Sequence, residues 1–129
     1  MENCMFSNRN YGRKNFINWA KAFTEDGIRR MAFVKKIHSL YHTSKAIHSG
    51  SLEWIDNDAT ETVISYIKKA SNETVLVLVN SKNKALSVVL EADMKKVEHG
   101  DILMQSGVTF TKTGATMEPY GYSIVSIVL

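Results

Sequence analysis

Four histidines, thirteen carboxylates and one cysteine are the side chains of this 129-residue sequence best suited to chemistry, and their spacing decides which chemistry is open to them. Asp56-Asn57-Asp58 alternates oxygen donors as a calcium loop does at its start. Such a loop needs Gly at its sixth position and a bidentate Glu at its twelfth. Counted from Asp56, those places hold Glu61 and Ile67, so the tripeptide reads as a turn between strands. His38 and His42 stand four apart on one helix face, the spacing of a zinc pair. Ser39 occupies the place of the general base, and neither His48 nor His99 has a ligand-like context. Glycoside cleavage needs two carboxyls roughly 5 to 9.5 Å apart in a cleft. The acids here fall in turns (Asp56, Asp58, Asp93, Glu98, Asp101) or in a helix cap (Glu25, Asp26). A nucleophile elbow, a phosphate-binding glycine loop and a Cys-His pair are all missing. Read from its residues, the chain is no catalyst, and no catalytic, cofactor-binding or metal-ligating residue is assigned.

Aromatics offer a different chemistry. Trp19, Trp54, Tyr66, Tyr120 and Tyr122 could stack on the CH face of a sugar ring, although aromatics in alternating strands are ordinarily core or cross-strand partners. The elements that would position them centre on Glu73 to Ala92. Val75 to Val79 is an unbroken apolar run, which predicts a strand buried on both faces. Leu86 to Leu90 is a second run, and the polar break Asn80-Ser81-Lys82-Asn83-Lys84 predicts a hairpin between the two. Upstream, Thr24 is an N-cap followed by Glu25 and Asp26, and a helix should run to about His42. Phe33, Val34, Ile37, Leu40 and Tyr41 form one apolar stripe on it, while Ile28, Met31 and Ala32 face the opposite side. A helix apolar on two sides is usually clamped between two layers, and the sequence supplies one.

Short strands recur after Gly50: Ser51 to Ile55, Glu61 to Lys69, the two apolar runs, Ile102 to Met104, Val108 to Thr111 and Tyr122 to Leu129. Ala70-Ser71-Asn72-Glu73 should fold the second strand onto the third as a hairpin, and Asp93 to Gly100 reads as a charged connection. About seven or eight strands at this spacing predict a mainly β fold, a Greek-key-like antiparallel β-sandwich preceded by one α-helix. Residues 1 to 23 are polar, with five Asn and the aromatics Phe6, Tyr11, Phe16, Trp19 and Phe23, as expected of a segment that lies against another surface.

The composition, 44% hydrophobic and 22% charged, is that of a globular protein. No apolar run approaches the roughly 20 residues of a membrane span, and a signal-peptide pattern is absent from the first residues. Cys4 alone makes no internal disulfide, and the compartment stays open. The charge of +3 is spread in doublets such as Arg29-Arg30, Lys35-Lys36 and Lys95-Lys96, which argues against a nucleic-acid partner.

Three ordered stretches carry a resemblance: Ala32-Phe33-Val34-Lys35-Lys36-Ile37-His38-Ser39-Leu40, then Ser49-Gly50-Ser51-Leu52-Glu53-Trp54, then Glu73-Thr74-Val75-Leu76-Val77-Leu78-Val79-Asn80. Together with the tail from Gly107 through Pro119-Tyr120-Gly121-Tyr122 to Val125, this resembles the last barrel helix and C-terminal β-domain of the α-amylase family of glycoside hydrolases. At the helix exit the family commonly has Leu-Arg-Lys and then a Pro, where this chain has Leu40-Tyr41-His42 and Lys45-Ala46-Ile47. The resemblance implies a division into residues 1–48, the lead-in and final helix of a (β/α)8 barrel, and residues 49–129, the β-domain. It further implies a non-catalytic role beside a barrel that acts on α-1,4-glucans with retention and carries the family's three catalytic acids. The implied partner is that barrel, with an α-glucan surface site as an additional prospect and self-association through the Ile28 side of the helix expected when the barrel is absent. A free-standing carbohydrate- or protein-binding module is the alternative.

Overall fold

A computed structural model describes residues 18–127 of the chain. Cys4, Phe6, Tyr11 and Phe16 lie outside them, as do the last two residues of the expected final strand. The contacts divide the chain into two compact units that meet between Ser39 and Leu40.

In the first unit a 3₁₀ turn, Trp19–Phe23, leads into helix α1, which spans Glu25–Thr43 and continues into the second unit. Thr24 caps α1 as its sequence predicts: its Oγ1 accepts from Gly27 N at 3.1 Å and donates to Lys21 O at 2.7 Å. Glu25 and Asp26 sit at the positive end of the dipole, and Arg29 bonds Asp26 at 2.8 Å. No residue of α1 is buried. Both apolar stripes are exposed, with Ile28, Met31, Phe33, Val34 and Ile37 among the large hydrophobic side chains open to solvent.

The second unit opens with a short helix that sequence reading missed, α2 at Lys45–Ser49. Ser44 caps it, its Oγ accepting from Ile47 N. Six strands follow: β1 Ser51–Trp54, β2 Val63–Ala70, β3 Glu73–Asn80, β4 Leu86–Val89, β5 Asp101–Phe110 and β6 Gly114–Ile127. Helix α3, Met94–Glu98, lies between β4 and β5. Every pairing is antiparallel, in one sheet of order β1-β2-β3-β6-β4 with β5 also on β6. The mainly β, antiparallel fold preceded by a helix is the expected one.

Besides α2, and α3 where Asp93 to Gly100 reads as a charged connection, two details of the strands differ from expectation. Strands number six because Ile102–Met104 and Val108–Phe110 join into one ten-residue strand through two register shifts. Gly107, at φ 62, supplies the left-handed residue that the second shift needs. The other difference concerns the polar break after β3, which does not make a hairpin. Thr74 to Val79 pairs with Ile127 to Tyr122, and Leu86 to Val89 pairs with Met117 to Gly114. Because β5 takes the other edge of β6, β3 and β4 follow one another along the same edge. Residues 81–85 form a corner opposite Glu118-Pro119-Tyr120-Gly121, where β6 itself turns through Tyr120 at φ 54.

Asn80 holds that corner. Its buried amide donates to Lys84 O at 2.8 Å and Glu118 O at 2.9 Å, while its Oδ1 accepts from Lys82 N at 3.1 Å. Bending at the corner brings β3 and β4 together over a common core: Leu76, Leu78, Val88, Val108, Met117 and Ile127 belong to one buried cluster with Ile55, Val63 and the α3 residues Met94 and Val97. The run Val75 to Leu78 is buried on both faces, as predicted. Each such side chain contributes roughly 1.5–3 kcal/mol. The β2–β3 hairpin is also as expected, closing with Ala70 opposite Glu73.

Candidate docking surface

Three of the residues that suggested metal or acid chemistry, Asn57, Asp58 and Asp93, hold turns or caps, and His42 and His48 pack edge to face on Tyr41. Asn57 Nδ2 donates to Ser65 Oγ at 2.7 Å and to Val63 O, its Oδ1 accepts from Ala59 N, and Ser65 Oγ donates to Ile55 O. Asp58 Oδ1 accepts from Val89 N at 2.8 Å, so this turn lies along the outer edge of β4. Asp93 caps α3. Glu53 pairs with Lys69 on the surface. Among the described residues there is no group of three or more His, Cys, Asp or Glu placed to hold a metal. An open concavity beside α3 mixes the apolar Val89, Leu90 and Met94 with the charged Asp93, Lys95 and Lys112.

What stands out is the sheet face away from the main core. Register places Trp54, Tyr66, Val77 and Ile124 in one row across β1, β2, β3 and β6. Ile64, Val79 and Tyr122 form the next row. Helix α2 covers one end of this face, with Ala46 fully buried against Val75 and Val77. Two bonds pin it there: Ala46 N donates to Glu73 Oε2 at 3.0 Å, and Lys68 Nζ donates to Ile47 O at 2.8 Å.

Beyond α2 several large apolar side chains of this face reach solvent. Trp54 is 66% exposed and Ile64 43%, with Leu52 also exposed and Tyr66, Val79, Tyr122 and Ile124 half-buried. Contiguous apolar surface of this kind marks a place where something packs. Of the aromatics considered for sugar stacking, the structure brings together Trp54 and Tyr66, with ring centroids 5.7 Å apart and planes at 75°. Rings that meet edge to face do not make one flat platform. Tyr120 is exposed at the corner of β6, Tyr122 lies in the second row of this sheet face, and Trp19 belongs to the first unit.

No protein-family model and no curated protein matches the sequence. Solved structures do match. An inactive double mutant of MutB superposes with a TM-score of 0.67 at 22% identity over 89% of this chain and 22% of its own. The trehalulose synthase MutB from Pseudomonas mesoacidophila MX-45 gives 0.59 at 23% identity, covering 78% of this chain and 19% of that one. The isomaltulose synthase PalI from Klebsiella sp. LX3 gives 0.61 at 18%, covering 85% and 19%. The fold is shared. This chain spans about a fifth of the length of the structures it resembles.

Proposed function

We propose that this chain is the non-catalytic C-terminal region of an α-amylase-like glycoside hydrolase, and that the outer face of its sheet packs against the catalytic barrel and stabilises it. Residues 1–48 supply the lead-in and the final barrel helix, and residues 49–129 the β-domain. The observation that carries the reading is the half-covered apolar face of Trp54, Ile64 and Tyr66 beside α2, in a fold found as one fifth of much larger synthases. A (β/α)8 barrel takes about 250 residues, so on this reading most of the barrel is additional to these 129. The two apolar sides of α1 fit a helix that belongs in a ring of helices, and without that ring its Ile28-Met31 side should drive self-association.

For the parent, the family resemblance points to retaining chemistry on α-1,4-glucans. One of the similar structures is a MutB mutant in complex with the substrate sucrose, which makes sucrose the first substrate to compare with maltoheptaose. The deciding experiment changes Ile64→Asp and Trp54→Asp in the barrel-containing parent and in the isolated chain. Melting of the parent should fall while that of the isolated chain barely changes, because both side chains are exposed in it. An unaltered parent sinks the docking role. A sugar platform on Trp54 is the second reading, favoured by that ring's exposure. It would give a saturable tryptophan-fluorescence change with maltoheptaose that Trp54→Ala abolishes.

A further inference from the structure

The β2–β3 turn carries a modification signal that the docking role leaves unused. Asn72-Glu73-Thr74 has the Asn-x-Thr order, with x other than Pro, that N-linked oligosaccharide transfer requires. Asn72 is exposed in the two-residue turn between Ala70 and Glu73, where an attached glycan meets solvent rather than the core. Triplets of this kind also arise by chance, so the weight falls on Thr74. It is 3% exposed, and its Oγ1 is the buried side-chain oxygen without a hydrogen-bond partner among the described residues. Valine would fill the same space beside Val75 and Leu76 without leaving a hydroxyl orphaned. A side-chain oxygen that is a liability in the folded sheet, yet completes the triplet, points to a use before the sheet closes.

The order of the strands leaves time for that use. Thr74 is paired across to Ile127, at the end of the last strand, so its burial waits until β6 has been synthesised. Until then the triplet is extended and uncovered. We propose that Asn72 is an acceptor for N-linked oligosaccharide, modified before β6 pairs with β3. In the transfer, Asn72 Nδ2 bonds to the anomeric carbon of a lipid-pyrophosphate-linked oligosaccharide. The anomeric carbon–oxygen bond breaks, the lipid pyrophosphate leaves, and the amide proton passes to a base of the transferase. The inference does not rest on the docking role.

Its test is intact mass with and without peptide-N-glycosidase, on the chain secreted from a eukaryotic cell line and on protein isolated from its source. Release of a glycan with conversion of Asn72 to Asp is expected, absent in Asn72→Gln and Thr74→Val and retained in Thr74→Ser. Thr74→Val should also melt at or above unglycosylated wild type, a result that a structural role for the hydroxyl would not give. An unmodified Asn72 in either preparation, or a Thr74→Val variant melting well below unglycosylated wild type, overturns the proposal.

Discussion

Asn80→Ala tests whether one side chain holds the corner between β3 and β4. The substitution removes two amide donors and one acceptor, bonded at 2.8, 2.9 and 3.1 Å. The three bonds are part-buried and join Asn80 to the surface residues Lys82, Lys84 and Glu118. The appropriate scale is therefore the net value of a hydrogen bond, about 1 kcal/mol, rather than full desolvation. Three bonds give a loss of about 3 kcal/mol. At ~4–8 °C per kcal/mol for a domain of this size, Tm should fall by ~12–24 °C. Asn80→Asp keeps the volume and the acceptor but points an oxygen at two carbonyls, so it should cost at least as much. Urea unfolding followed by far-ultraviolet circular dichroism reads both. A loss under about 1 kcal/mol for the alanine variant, or an aspartate variant near wild type, would refute the corner argument.

Leu76→Ala opens a hole in a fully buried site and should cost about 2–5 kcal/mol, enough to populate the unfolded state in thermal melts. Gly107→Ala forces a side chain into a left-handed residue, with its Cβ 3.0 Å from the Glu118 Cβ, and should cost about 1–2 kcal/mol in urea unfolding. Trp54→Ala, by contrast, removes an exposed ring and should change the stability of the isolated chain by less than about 1 kcal/mol in the same assay.

What could be read from the sequence was local. Unbroken aliphatic character identified β3 as doubly buried, Thr24 gave the start of α1, and the Ala70–Glu73 connection gave a hairpin. The break at Asn80–Lys84 has the composition of a hairpin turn, and its true role is set by a partner more than thirty residues away in β6. No local pattern reports such pairing. Helix α3 was legible in principle: Asp93 is a cap, and Met94 and Val97 are spaced by three and both buried. Five residues are too few for periodicity to show. The candidate site, the outer apolar face, was half legible, since alternation puts Leu52 and Trp54 on one side of β1 but does not report what covers them.

Strand β1 is attached to the sheet in an unusual way. None of its four side chains is buried, and it is held by its ladder with β2, the Glu53–Lys69 ion pair and the edge-to-face contact of Trp54 with Tyr66. Exposed hydrogen bonds with little packing behind them open at small free energy. When β1 peels away, the Tyr66–Lys69 backbone of β2 becomes a sticky seam four residues long, ready to zip onto a neighbouring molecule. Amide protons of Ser51–Trp54 should exchange first, and concentrated stocks of the isolated chain should gel or precipitate from that seam.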